Sequence, residues 1–383
     1  MKKSALLLLL SFSLASFLGC KKEPRTDIKV GIISDYRNVN QESKIKTMYD
    51  ICSSWCEKNN VTHSFRKPNY DMDENRETSL KILLDAGCNV IITLGSSFAS
   101  AIDKVIEYYP YHKFIALDVS KDDMYNAHFK DFDFDYSNSK WSTYSLPSNL
   151  YAFNFDLEST YFSLGYSLAK EGYKYINYVG NKDSIENRRI GYSFIQGADE
   201  YRKKSNSETK IRYAYANFNE LDNDIVGRFN TWNGIGEYFE KKIYLCSGAN
   251  VYKNALISAT KRGVENVHVL SSEYNYYDTL IDAQKAVYLG GIVCDYERYI
   301  PSYLSDILND NKGLSGEKVC SIECDRMISF SFSSSTWPLT KINKEEYIDM
   351  VNKVSKGDIM INHSLGELPL NDEEVDYQGN LKV

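Results

Sequence analysis

The chain has 383 residues, 43% of them hydrophobic and 25% charged, with a formal charge of −7 at pH 7. That length and composition describe a globular protein with apolar material for about two cores. The acidic balance, with no basic stripe to neutralise phosphates, excludes a nucleic-acid partner from the expected functions.

Residues 1–20, MKKSALLLLLSFSLASFLGC, carry a basic start and an apolar run of secretory length, shorter than a membrane span. Their ending, Phe17-Leu18-Gly19-Cys20, has the layout of a bacterial lipobox, with Phe17 where Leu is commonest. The expectation is a lipoprotein signal peptide over 1–19, Cys20 as the lipid-modified (palmitate-bearing) first mature residue, and a polar tether over 20–27. A plain signal peptide with an incidental cysteine is the alternative. Loss of Lys2 and Lys3 with the leader takes the charge from −7 to −9. No second apolar stretch is long enough to span a bilayer, so the protein is expected to be anchored at the cell membrane and exposed to the periplasm or the exterior.

From Ile28 an apolar run ends at Asp35, and a polar loop leads to a helix over 41–58, where Ile45, Met48, Tyr49, Cys52 and Trp55 recur at helical spacing. A weak strand 62–66, a helix 73–86 closed by Gly87, and a buried strand 89–94 follow, then the turn Gly95-Ser96-Ser97 and a helix to Tyr109. Lys113–Val119 is a strand carrying Asp118, completing three βα units and hence a parallel sheet with right-handed crossovers. Residues 120–147 lose this rhythm, and a surface loop or hairpin is expected there, preferred to a metal site at Asp131, Asp133 and Asp135.

A strand 149–155 and a helix 157–170 lead to a second series. It has strand 175–180, helix 185–204, strand 210–218, helix 221–241, strand 242–246, helix 250–262 and strand 266–272. Two α/β sheets of like rhythm describe a two-lobed protein. A strand 286–295 and the Pro301-containing helix after it cross back, 318–333 alternates as antiparallel strands do, and a last helix spans 344–356. The expected division is 28–156 plus 274–311 for lobe 1 and 157–273 plus 312–383 for lobe 2.

Cys52/Cys56 and Cys320/Cys324 have helical-face spacing but lack the CxxC or histidine partners of a metal site. They are expected as buried small hydrophobes, and any disulfide pairing stays open. No Gly-x-Ser-x-Gly, Walker loop, HExxH or Gly-x-Gly-x-x-Gly occurs, so neither an enzyme nor a bound cofactor is expected. Acids at strand ends, Asp35, Asp118 and Glu273, can accept hydrogen bonds from hydroxyls of a polar ligand at a sheet's carboxyl edge. Helix capping or solvation is the plainer role for each. Gly248-Ala249-Asn250, at the head of a helix, offers free backbone N–H groups.

Several stretches, in this order, resemble the basic membrane protein family of bacterial solute-binding lipoproteins, which includes purine nucleoside receptors of spirochaetes. They are VGIISDYRNVNQES, IITLGSSFASAIDKVIEYYPYHKFIALD, ESTYFSLGYSLAKEG, RRIGYSFIQGADEY, YANFNE, SGANVYKNALISATKRG and VHVLSSE, and the likeness covers nearly all of 28–335. The resemblance implies a type I periplasmic-binding-protein fold, two Rossmann-like lobes closing on a ligand in the cleft between them, with ABC permease subunits as partners. It places Asp35 and Asn40 facing the cleft, Phe218 at the second-lobe aromatic that stacks on a base, Glu273 at the ribose-binding acid, and Val293 near a cleft lysine. Lys44-Ile45 stands where the family has Phe-Asn, so Tyr36 or Tyr49 would have to supply the second stacking ring. Otherwise Lys44 suggests a different or anionic ligand.

The reading is therefore a monomeric, lipid-anchored solute receptor of an ABC importer for a nucleoside or similar ribose-bearing molecule. Its expected ligand residues are Asp35, Asn40, Lys44, Ser96, Asp118, Phe218, Gly248, Asn250 and Glu273. A surface lipoprotein of the same fold, acting as adhesin or sensor with a degenerate site, is the alternative.

Overall fold

A computed structural model describes residues 25–36, 39–40, 43–130, 136, 139–217, 221–248, 250–261, 264, 266–272, 274–309, 316–320, 328–331 and 337–381. The first half runs β1 (Arg25–Ser34), α1 (Lys44–Lys58), β2 (Val61–Arg66), α2 (Asp73–Asp85), β3 (Val90–Leu94), α3 (Ala99–Val105), β4 (Lys113–Leu117), α4 (Lys121–Phe129), α5 (Ser139–Thr143) and β5 (Leu150–Phe155). It continues with α6 (Leu157–Glu171), β6 (Tyr175–Gly180), α7 (Ile185–Ser205), β7 (Lys210–Tyr215), α8 (Asn223–Asn233), β8 (Lys242–Ser247), α9 (Val251–Ala259) and β9 (Val267–Ser271). Last come α10 (Asp282–Lys285), β10 (Tyr288–Cys294), α11 (Tyr296–Leu308), β11 (Gly316–Cys320), β12 (Ile328–Ser331), α12 (Lys344–Ser355) and β13 (Asp376–Asn380). Among the described residues no helix is long and apolar enough to cross a membrane.

The strands form two sheets, ordered β11-β5-β4-β3-β1-β2 and β12-β10-β9-β8-β6-β7-β13. All pairings are parallel except β10 with β12. Central strands such as β3 (VIITL) and β6 (YINYVG) are buried at every position, as parallel strands covered on both faces must be. Register sets up the site: Ser34 pairs with Leu94 and Leu94 with Leu117, so the residues that follow, Asp35, Gly95 and Asp118, emerge at one edge of the first sheet.

The expected lobe boundaries are corrected at the third crossing. Residues 288–294, assigned to lobe 1, form β10 of the second sheet, and 316–320, assigned to lobe 2, form β11 of the first. The chain thus changes sheets between β10 and β11, and α11 packs on lobe 1, where Trp55 Nε1 donates to Ser305 Oγ at 2.9 Å. Of the segment 318–333, expected to run as antiparallel strands, β12 does so against β10, whereas β11 pairs parallel with β5. The tether also shortens, because Arg25 already pairs with Val61.

Residues 120–147 are not simply loop. Ser120 and Asp123 form a reciprocal capping box that starts α4, and α5 follows. Residues 131–135, with the three aspartates weighed there, lie outside the described residues, as do Cys20 and Cys324. The helix expected to reach 241 stops at Asn233, where Gly234 caps it and Gly236 takes φ +75°. Cys52 and Cys56 are free thiols on the inner face of α1, and burial pushes the Cys56 thiol up to about 12. Cys88 and Cys246 are buried free thiols too, and Cys294 is half-buried.

Candidate functional site

Two helix starts face each other across the gap between the sheets. Ser43 caps α1, its hydroxyl accepting from Lys46 N at 3.2 Å, which places Lys44 in the first turn. Ser184 caps α7 by accepting from Asn187 N at 3.3 Å, which places Glu186 in the first turn of that helix. The two side chains meet: Lys44 Nζ donates to Glu186 Oε1 at 2.5 Å. The other carboxylate oxygen of Glu186 accepts from Ser96 Oγ at 2.9 Å.

Behind this bridge stands Asp118. Its Oδ2 lies 3.5 Å from Lys44 Nζ and accepts from Tyr296 OH at 2.8 Å. Asp118 holds φ +60°, a left-handed backbone that short polar residues tolerate better than others and that costs strain elsewhere. Burial pushes its carboxyl above the ordinary range, with Lys44 pulling the other way and Glu186 adding to the rise. A second ion pair also crosses between the lobes, from Arg189 of α7 to Asp122 of α4.

The bridge separates two chambers. The outer one, about 440 Å³, is walled by the loops after β1, β2 and β3, by α4, and by the β6–α7 loop. Asp35, 4% exposed, is in this wall, as are Tyr36 and Arg76, the latter paired with Asp71 and with Asp73 at 3.0 Å. The inner one, about 40 Å³, lies nearer the crossing strands and is lined by Asp118, Asn154, Phe155, Cys294 and Tyr296 among others. The inner chamber has room for about a few waters, whereas the outer has the size of a small-molecule pocket. Lys44 and Glu186 line both.

Of the residues expected from sequence, Asp35, Lys44, Ser96 and Asp118 come together here. Asn40 does not: it is exposed in the turn before α1 and is not in either chamber wall. Gly248 and Asn250 stand one layer back. Gly248, at φ +88°, leaves no room for a Cβ beside the Asn181 side chain, and it is Asn181 that reaches the outer wall. Asn250 stands at the N-cap of α9 at φ +69°, and its side chain makes no capping bond to that helix. Phe218 and Glu273 lie outside the described residues. Of the two candidate stacking rings, Tyr36 lines the outer chamber and Tyr49 packs edge-on against Phe65 at 4.7 Å.

Sequence reasoning missed Glu186, Arg189 and Tyr296. The signal for Glu186 was an acid in the first turn of a serine-capped helix, and Tyr296 follows the helix-capping Asp295 at the end of β10. Neither pattern says what lies opposite.

No family model and no curated protein matches the chain. Solved structures do. An ABC transporter solute-binding protein from Conexibacter woesei DSM 14684 is similar with TM-score 0.58 and 13% identity, over 89% of this chain and 100% of that one. Solute-binding proteins from Aeropyrum pernix K1 give TM-score 0.59 and 13% identity over 86% of each chain. A periplasmic binding protein/LacI transcriptional regulator from Alkaliphilus metalliredigens QYMF, complexed with D-xylulofuranose, gives 0.51 and 12% over 76% of this chain and 94% of that one. The chain has the type I periplasmic-binding-protein fold. In that fold the two sheets turn their carboxyl edges toward a shared cleft, the crevice where open α/β sheets bind ligands. The chambers around Lys44 and Glu186 occupy that crevice.

Proposed function

We propose that the protein is the solute-binding component of an ABC importer, held at the membrane by a lipid on Cys20 and working as a monomer with permease subunits. The solute is a nucleoside or a related ribose-bearing molecule, taken up by closure of the lobes. The observation that carries the reading is the outer chamber, about 440 Å³ and rimmed by Asp35, Ser96 and Asn181 at the strand ends of both sheets. Carboxylate, hydroxyl and amide groups in a cleft that excludes water suit the hydroxyls of a sugar. Tyr36 offers one stacking face. The ordered motifs shared with the basic membrane protein family, and the solute-binding proteins of the same fold, support this reading over an enzyme.

Isothermal titration of the mature protein against ribonucleosides and free ribose tests it. Saturable binding of a nucleoside, weakened at least tenfold in D35N, is the expected result. No response from any of them sets the ligand aside. A surface lipoprotein that acts as adhesin or sensor is the second reading, favoured by the lysine that stands at the family's stacking position and by the small inner chamber. Mass spectrometry of molecules released from freshly purified protein separates the two, since a retained nucleoside supports the receptor.

A further inference from the structure

The position of Lys44 is unfavourable for its own helix. A cation in the first turn opposes the positive end of the helix dipole, and α1 has no acid there to offset it. Glu186 in the first turn of α7 has the favourable sign. Lys44 is nonetheless only 7% exposed, and its ammonium lies between a carboxylate of each lobe, Asp118 at 3.5 Å and Glu186 at 2.5 Å. Closing the lobes without it would bring two carboxylates together in a dry crevice, a like-charge arrangement that opposes association. Ser96 and Tyr296 hold the two acids in place through the remaining bonds. The whole forms an ammonium cradle spanning both lobes, and its occupant is part of the chain.

We propose that Lys44 is a tethered occupant of the cleft: its ammonium sits where a solute would join the lobes, so the protein closes with the inner chamber empty and a neutral solute is confined to the outer chamber. Lys44 is then a specificity-determining residue, because only a small cation that replaces its ammonium between Asp118 and Glu186 can enter the inner chamber. The statement about solutes rests on the binding reading above; the statement about closure does not.

Hydrogen exchange of the detergent-solubilised full-length protein, with no solute added, tests the closure. The amides to follow are in peptides covering 94–98 and 181–187, which wall the cleft from opposite lobes. Wild type is expected to protect both, and K44A to exchange them about tenfold faster or more. Adding n-propylammonium, the part of the side chain that K44A removes, restores protection, and n-propanol does not. E186Q, a change in a partly exposed first turn, is the second variant and accelerates the same peptides with the circular dichroism unchanged. The proposal is overturned if solute-free wild type exchanges as fast as K44A, if n-propanol restores protection equally, or if E186Q leaves the rates unchanged. No nucleoside enters this test, so a failed titration of nucleosides leaves its outcome standing.

Discussion

Gly165 of α6 and Gly197 of α7 lie against each other's helix backbone. A Cβ on Gly165 would overlap the Phe194 carbonyl oxygen, and one on Gly197 the Phe162 carbonyl oxygen. The two helices can approach this closely only because both positions lack a side chain. G165A or G197A is expected to push the helices apart and cost about 3 kcal/mol, at the upper end for overpacking, since backbone and not a flexible side chain must give. Urea unfolding would show it as a lower midpoint, and an unchanged midpoint would mean that the helices can separate freely.

Asp118 yields a prediction with a definite sign. Its carboxyl is held above the ordinary range by burial, so the folded protein keeps that proton more readily than the unfolded chain does. Stability from this group is therefore fully present at low pH and is lost as pH rises from the ordinary carboxylate value through the raised one. D118N removes the charge, keeps an oxygen to accept from Tyr296, and places the residue type most tolerant of a positive φ at φ +60°. Its melting temperature at pH 7 is expected to exceed wild type by roughly 1–3 °C. The advantage shrinks below about pH 4, where both states of wild type are protonated. A variant less stable than wild type at pH 7 would show that the attraction of Lys44 outweighs burial.

His363 has the same sign for a different reason. Its Nδ1 lies 2.8 Å from Glu158 Oε2, and that partner raises the imidazole above its ordinary value against the pull of burial and of Arg189. The pair's contribution is fully present below about pH 6.5 and is lost as pH rises through the raised value. The pair is half-exposed, so the effect is small. Hydrogen exchange of peptides around 359–365 should quicken between pH 6 and 8, after correction for the intrinsic rate, and H363A should abolish that change.

Glu171 fastens the segment ahead of α12 to the end of α6. It is 6% exposed and accepts from Thr340 N at 2.8 Å, Thr340 Oγ1 at 2.8 Å and Lys341 N at 2.9 Å. Burial pushes the carboxyl up, but these bonds together prevail and hold it below its ordinary value. The stabilisation is present above the ordinary carboxylate value and is lost as pH falls through the lowered one. E171A leaves the two backbone N–H groups without this acceptor and should cost about 2 kcal/mol at pH 7, with a smaller difference at pH 3. Denaturant midpoints at the two pH values measure both quantities.

What the amino-acid sequence determined alone is the βα rhythm of both sheets and one side of the site. Runs such as Val90–Leu94 and Tyr175–Gly180 are apolar throughout because a covered parallel strand has two buried faces. Asp35, Lys44, Ser96 and Asp118 follow from strand ends and a helix start, which are local features. The capping box of Ser120 and Asp123 was equally local and could have been read. Tertiary structure alone decided that Glu186 faces Lys44 across 142 residues of chain, that Asn40, Gly248 and Asn250 stand away from the chamber walls, and that β10 and β11 lie in different sheets. The reason is physical. Periodicity and caps act over one or two turns of backbone, whereas a bridge between lobes depends on how two separately built sheets are set against each other. Contacts between the lobes mark that setting, among them the Lys44–Glu186 bridge and the Arg189–Asp122 pair.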